Sequence, residues 1–212
     1  MTRMTTTPKN GPRVPARREP AVARDPRRAA QAAPAGGTAT MGDAHRSKVP
    51  LPHALHRTHN DLPERTRRQA ATDLNMLLAD AGDLTMQAKQ AHWNVRGPNF
   101  IALHRLFDEV YAHAGEWTDA IAERIAALGG QAYGTVQAAA QSSRLDPYPL
   151  DLAREEEHVD RLSMSLAKFG AYVREAIDDF LKLGDQDSAD LCIEISRAAD
   201  KDLWFVEAHL SG

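Results

Sequence analysis

The chain has 212 residues, which is enough for one domain of ordinary size and an extension. Its formal net charge of −3 hides an asymmetry, because residues 1–57 contain 11 Lys/Arg and 3 Asp/Glu, net +8, whereas the remainder is net −11. No apolar run approaches the roughly 18 residues of a membrane span, and the apolar core of a secretory signal is missing, so we expect neither a membrane nor a secreted protein. A single cysteine, Cys192, excludes an intramolecular disulfide framework and favours a reducing compartment.

Residues 1–57 predict a disordered basic arm. Its first part has no aromatic side chain and many prolines, so it neither buries a core nor forms regular helix or strand. A flexible basic arm neutralises phosphates without recognising sequence, which predicts DNA binding. The candidate DNA-binding residues are Arg13, Arg17, Arg18, Arg24, Arg27 and Arg28. Two alternatives stay open: a solubilising tail without a partner, and an organelle-targeting peptide, which the prolines disfavour.

Residues 43–61 are rich in histidine, with four of the nine histidines of the chain. Imidazole and carboxylate together suit zinc or a similar divalent ion. The predicted second metal site consists of Asp43, His45, His56 and Asp61. The alternative is a set of titratable surface histidines without a metal.

The first long helix is predicted to begin just after Asp61, which is a suitable cap. Pro63 suits the first turn, and Glu64 is favoured at the positive end of the helix dipole. Its predicted apolar face comprises Leu74, Leu77, Leu78, Ala81, Leu84 and Ala88. The helix carries His92 at its end, and a Gly-Pro turn at residues 97–98 leads into the next helix.

The second helix, predicted over residues 99–128, carries four metal-binding side chains on one stripe. They form two pairs with i,i+4 spacing: His104/Asp108 and Asp119/Glu123. The pairs are 15 residues apart, about 22 Å along the axis, whereas a metal–ligand bond is only about 2 Å long. One helix therefore cannot close one site. Either two separate sites exist, or an antiparallel second copy of the helix completes two identical sites across a two-fold axis.

The rest of the chain predicts a crossover and two further helices. Gly129 and Gly130 end the second helix, and residues 131–151 are long enough to return the chain in the same sense. The third helix, about 152–183, is predicted to bury Val159, Leu162, Leu166, Phe169, Val173, Ile177 and Phe180. The fourth, about 187–209, is predicted to bury Cys192, Ile195, Ala199, Leu203 and Val206. We therefore expect an all-α, ferritin-like four-helix bundle over 58–212, with one long crossover that carries a short helix.

A long motif carries a family resemblance. The run His-Trp-Asn-Val-x-Gly-x-x-Phe-x-x-Leu-His-x-x-x-Asp, from His92 to Asp108, is followed by Asp119, Glu123 and a Leu-Gly-Gly turn. It resembles the Dps family, the mini-ferritins known as DNA-binding proteins from starved cells, and the similarity covers about residues 60–210. The resemblance implies four-helix bundles that assemble into hollow dodecamers, oxidise Fe(II) and store ferric iron inside.

The resemblance also implies roles for individual residues. His92, His104 and Asp108 match ferroxidase ligands from one subunit, and Asp119 and Glu123 match those from its two-fold neighbour. The acidic junction before the fourth helix matches a three-fold pore for iron entry. Its predicted pore residues are Asp185, Asp187 and Asp190. The alternative for this junction is helix capping by Asp187 and simple solvation.

Two features remain outside the predicted ferroxidase site. Glu155-x-x-His158 is a single copy of a motif that an intra-subunit di-iron centre uses twice, so we predict a solvated helix start there. Trp93 adjoins the first ligand and is predicted to pack in the core, the alternative being an oxidisable ring near peroxide chemistry.

The resemblance thus implies a ferroxidase that oxidises Fe(II) with hydrogen peroxide or dioxygen, stores ferric iron and protects DNA, and the basic arm adds DNA binding. We expect a homododecamer in the cytoplasm, associated with the nucleoid. The alternative is an architectural DNA-compacting protein whose metal sites are structural. A bundle that binds zinc or manganese instead also stays open, because metal selection follows availability and geometry.

Overall fold

A computed structural model describes residues 55–210, and this part of the chain is all helical. The helices are α1 (Glu64–Asn94), α2 (Phe100–Ala127), α3 (Val136–Ser142), α4 (Glu155–Leu183) and α5 (Gln186–Glu207). The short α3 lies within the crossover between α2 and α4, so the predicted bundle with one crossover and a short helix is confirmed. The arm up to residue 54 lies outside the described residues.

Contacts between helix ends establish the direction of each helix. Glu155, at the start of α4, hydrogen-bonds Asn99 at the start of α2, so these two helices run in the same sense. Arg124, near the end of α2, bonds Asp185 at the start of α5, so α5 runs opposite to α2. The main packing pairs are α1 with α2 and α4 with α5. This is the one-crossover topology that the crossover length predicts.

The core lies between the apolar stripes of the four long helices. Its largest fully buried side chains include Phe107, Phe169 and Phe180, and Trp117 stacks on Phe169 with ring centroids 5.7 Å apart. The predicted faces of α1, α4 and α5 are buried, except that Ile177 and Leu203 are only partly buried. Each buried aromatic or leucine side chain contributes about 2–3 kcal/mol to folding, so these stripes dominate the stability of the bundle.

Buried polar groups fasten the crossover to α1. Asp80 is completely buried and accepts hydrogen bonds from the backbone N–H and the guanidinium of Arg144. Arg144 also stacks on Tyr172 of α4, with its guanidinium carbon 3.9 Å from the ring centroid. Burial raises the pKa of the Asp80 carboxyl, and the Arg144 charge opposes that rise. Because a buried charge is costly without a partner, this pair defines one position for the crossover.

The chain before α1 packs against the end of α2. The backbone N–H of His56 donates to the Gly129 carbonyl at 2.8 Å, and Arg67 donates to the Leu128 carbonyl at 2.9 Å. Asp61 is exposed and does not cap α1, so that prediction is wrong: Pro63 occupies the N-cap position without a side-chain cap. The approach to α1 is instead ordered by local bonds to side chains of residues 58 and 60.

Candidate metal centre

Two histidines meet where α1 ends and α2 begins. The His92 and His104 rings stack with their centroids 3.7 Å apart. His92 Nδ1 lies 2.7 Å from the His104 carbonyl oxygen, and His104 Nδ1 lies 2.9 Å from the His92 carbonyl oxygen. A carbonyl only accepts, so each Nδ1 must carry the proton and donate it. In the neutral imidazole each Nε2 then carries the lone pair, which is the form that binds a metal.

Asp108 lies one turn beyond His104 on α2 and is already paired with Lys89 of α1. The Lys89 Nζ atom lies 2.5 Å from Asp108 Oδ1 and 4.4 Å from the ring centroid of Tyr111. The hydrogen bond from Lys89 lowers the pKa of the half-exposed Asp108 carboxyl. His92 Nδ1 is 3.9 Å from the same oxygen. The structure thus brings three predicted ligands together, and one of them is held by an ammonium group.

The other two predicted ligands lie elsewhere. Asp119 and Glu123 are exposed, and within residues 55–210 neither forms an ion pair or a side-chain hydrogen bond. Fifteen residues, about 22 Å of helix, separate His104 from Asp119. In the described part of the chain no group of three or more His, Cys, Asp or Glu side chains is arranged to hold a metal ion. One subunit therefore does not bring the five predicted ligands together.

Of the two other predicted ion sites, the structure covers the second metal site in part and the pore residues in full. Asp43, His45 and the candidate DNA-binding arginines lie outside the described residues, and His56 and Asp61 are exposed. At the predicted pore, Asp185 is 1% exposed and its carboxylate accepts from Arg124 Nη2 at 2.5 Å and from the Ser188 hydroxyl at 2.6 Å.

Asp185 is the N-cap of α5, since its side chain also accepts from the Ser188 backbone N–H. The cap is therefore Asp185 and not Asp187, which is 84% exposed and lies 3.6 Å from Arg124. Asp190 is exposed as well. Of the three predicted pore carboxylates, two are thus accessible and one is neutralised inside the bundle.

Two predictions about neighbouring residues are wrong. Glu155 and His158 are buried, at 6% and 1% exposure, whereas a solvated helix start was expected. Their positions continue the apolar stripe of α4 through Val159 and Leu162, and this spacing is the signal that indicates burial. Trp93 is 60% exposed and does not pack in the core of the chain.

Comparison with known proteins identifies the family. Residues 71–212 match the family model of the ferritin-like domain. The chain is 41% identical over 155 residues to the "DNA protection during starvation protein" of Agrobacterium fabrum, covering 73% of this chain and 96% of that protein. The chain belongs to the Dps family. A protein of the same name from Mycolicibacterium smegmatis is 32% identical over 151 residues, covering 70% of this chain and 81% of that protein.

Solved Dps structures have the same fold as this Dps-family chain. DpsC from Streptomyces coelicolor superposes with a TM-score of 0.72 at 28% identity, covering 75% of this chain and 93% of that one. Dps from Microbacterium arborescens in the high iron form gives a TM-score of 0.66 at 37% identity, covering 75% and 100%. Among the residues that the structure describes, no helix is long and apolar enough to cross a membrane.

Proposed function

We propose that this protein is a ferroxidase whose iron sites form between two subunits related by a two-fold axis. The observation that carries the proposal is the pair of half-sites on α2. His104/Asp108 and Asp119/Glu123 lie on one stripe and are symmetric about the point between His113 and Ala114. An antiparallel second copy of α2 centred there brings each histidine half-site to the carboxylate half-site of its neighbour.

The surface around this midpoint suits a close helix–helix contact. Ala112 and Gly115 are the small residues there, and a Cβ built on Gly115 meets no atom within 4 Å. Beside them lies an open groove of about 550 Å³ between α1, α2 and α3, lined by residues that include Gly82, Met86 and Val136. Met86 and Val136 are exposed in the single chain. These features support a second copy of the chain as the partner of α2.

The donor set suits iron as a substrate. Neutral imidazole and carboxylate oxygen bind Fe(II), and the carboxylates of Asp119 and Glu123 also stabilise Fe(III). One hydrogen peroxide takes two electrons, one from each of two Fe(II) ions, and with two protons leaves as two waters. Because both electrons pass to one peroxide, no hydroxyl radical is released. The ferric product then accumulates inside a dodecameric shell, with Asp187 and Asp190 as the carboxylates of the entry pore.

The test is complementation between two inactive variants. One carries His92→Ala and His104→Ala, the other Asp119→Ala and Glu123→Ala, and each alone should lose fast Fe(II) oxidation. When the two variants are co-expressed in equal amounts, random pairing makes half of the two-fold interfaces mixed. Each mixed interface contains two sites, of which one has all its ligands intact. We therefore expect about one quarter of the wild-type sites to return. Variants that are mixed only after assembly are the control and should stay inactive.

The oxidation is followed by anaerobic Fe(II) loading, addition of stoichiometric peroxide and absorbance of the ferric product. Absence of recovery in the co-expressed shells would place the site within one subunit and refute the proposal. Oxidation at wild-type rate in both parent variants would instead remove these four residues from the chemistry.

DNA binding by the arm is a second proposed function, and the observation that favours it is charge. Residues 1–57 are net +8, whereas the remainder of the chain is net −11 and repels phosphate. Twelve arms on one shell would add avidity. Residues from His56 onward pack on the end of α2, so a deletion of residues 1–54 removes the arm and leaves that contact. DNA binding should then be lost with iron oxidation intact, and binding that persists at moderate salt would refute the role of the arm.

The remaining proposals follow from the same family membership. A zinc site at the histidine-rich segment, a protective role for DNA and a cytoplasmic, nucleoid-associated location stay predictions. Metal analysis of the protein with and without residues 1–54 tests the zinc site, because it removes two of its four predicted ligands.

A further inference from the structure

The buried start of α4 contacts the turn between the two histidine-bearing helices. Glu155 is the first residue of α4, and its carboxylate has one hydrogen bond on each oxygen. Oε2 accepts from the Asn99 backbone N–H at 3.0 Å, and Oε1 accepts from Asn99 Nδ2 at 2.8 Å. Asn99 is the N-cap residue of α2. One carboxylate from a third helix therefore holds the residue at which α2 begins.

The turn is shaped around this carboxylate. Gly97 has φ +155, and a Cβ built on it would lie 2.1 Å from Glu155 Oε2. A side chain at residue 97 would occupy the space of the carboxylate, so glycine is needed there for close approach as well as for its backbone conformation. The turn and the carboxylate thus form one packed unit.

A second contact fixes α4 at the same end. His158, one turn beyond Glu155, bonds the Tyr148 hydroxyl of the crossover through Nδ1 at 2.8 Å. The two rings stack with centroids 6.2 Å apart, and His158 is 1% exposed. Because His158 is anchored to the crossover, the first turn of α4 cannot slide along the bundle, and the Glu155 carboxylate stays at the turn.

The histidine half-site depends on the same turn. His92 lies in the last turn of α1, and His104 lies five residues beyond Asn99, about 7.5 Å along α2. Their reciprocal Nδ1–carbonyl bonds form only at one relative placement of the two helix ends. We propose that Glu155 is a positioning residue for the iron site, acting through Asn99 to hold the two imidazoles with both Nε2 atoms directed to the metal. The inference rests on the proposed ferroxidase function and adds a residue to it.

Exchanging the two hydrogen-bonding groups tests the proposal. Glu155→Ala removes both acceptors, and Asn99→Asp sets two carboxylates against each other, so each single variant loses the contact. In the double variant Glu155→Gln/Asn99→Asp, the introduced amide donates to the introduced carboxylate, and the amide oxygen still accepts from the backbone N–H of position 99. The contact is restored with donor and acceptor reversed. Glu156→Gln, an exposed neighbour with the same charge change, is the matched control.

The measurement is anaerobic titration of the assembled full-length protein with Co(II), whose visible d–d absorption reports the ligands and geometry of the site. Residues that orient metal-ligating histidines typically affect metal affinity by 10- to 100-fold. We expect each single variant to bind Co(II) about tenfold more weakly, and the double variant and Glu156→Gln to match the wild type. The spectrum should change in the single variants and return in the double variant.

Wild-type affinity and spectrum in the single variants would overturn the inference. So would a double variant that assembles but binds Co(II) as weakly as Asn99→Asp, or about tenfold more weakly than the wild type if Asn99→Asp fails to assemble. The proposed function fails separately: it does so if the wild-type Co(II) spectrum is unaffected by Asp119→Ala/Glu123→Ala.

Discussion

Lys89 should weaken metal binding at the histidine half-site, and Lys89→Met should relieve that effect. Its Nζ atom is 2.5 Å from Asp108 Oδ1. An ion bound about 2.1 Å from the same oxygen would therefore lie at most about 4.6 Å from Nζ. In a water-like dielectric, a divalent ion and an ammonium group at that distance repel by about 1.8 kcal/mol, which screening at physiological ionic strength reduces to about 1 kcal/mol.

We therefore expect Lys89→Met to bind Fe(II) about fivefold more tightly than the wild type at physiological salt. At low salt, where screening is weak, the gain should be about twentyfold. Methionine retains apolar contact with Tyr111, over which Nζ lies. Anaerobic calorimetric titration with Fe(II) at two ionic strengths measures the change. The control is Lys182→Met, which breaks another Lys–Asp pair, 2.9 Å from Asp179 and more exposed than the Lys89–Asp108 pair, at the far end of α4. Equal or weaker binding by Lys89→Met, or an equal gain in the control, would refute this electrostatic reasoning.

Three further predictions concern stability and reactivity. Asp80→Ala leaves the Arg144 guanidinium without its buried partner and should lower the free energy of unfolding by about 3 kcal/mol in urea; a change below about 1 kcal/mol would contradict the role of this pair. Hydrogen bonds from backbone N–H groups, of which that of Arg154 has the largest effect, lower the pKa of Glu157 from 4.5 to about 2. The ionised Glu157 carboxylate therefore stabilises the folded protein above pH 4.5, and this stabilisation is lost as the pH falls towards 2. The melting temperatures of wild type and Glu157→Gln should therefore converge over that range, and a difference that stays constant with pH would contradict this reasoning. Burial raises the pKa of the Cys192 thiol to about 12. Alkylation of Cys192 at pH 8 should therefore be at least roughly a thousandfold slower in native than in unfolded protein. Fast labelling of the native protein would contradict the burial of this thiol.

The predicted helices depend on local regularities, and these were sufficient to identify them. Helical periodicity located the long helices, and the crossover length gave the direction of α4 relative to α2. The i,i+4 spacing of His104 and Asp108 placed both on one stripe of α2. The distance from His104 to Asp119 also follows from helix rise alone, so the sequence by itself indicated that one subunit cannot complete the site.

Tertiary structure decided which charged groups are paired, because these contacts join residues far apart in the chain. Asp185 belongs to an acidic run, yet it is buried against Arg124, which is 61 residues earlier. Asp108 is paired with Lys89 of the preceding helix, and Glu155, the first of three consecutive glutamates, is buried against Asn99. Composition predicts solvation for such residues, whereas the burial of Glu155 depends on how α4 packs against the turn between α1 and α2, and that of Asp185 depends on how α5 packs against α2. The sequence therefore determined the helices and the ligand stripe, and only the packing of separate helices determined the partners of each carboxylate.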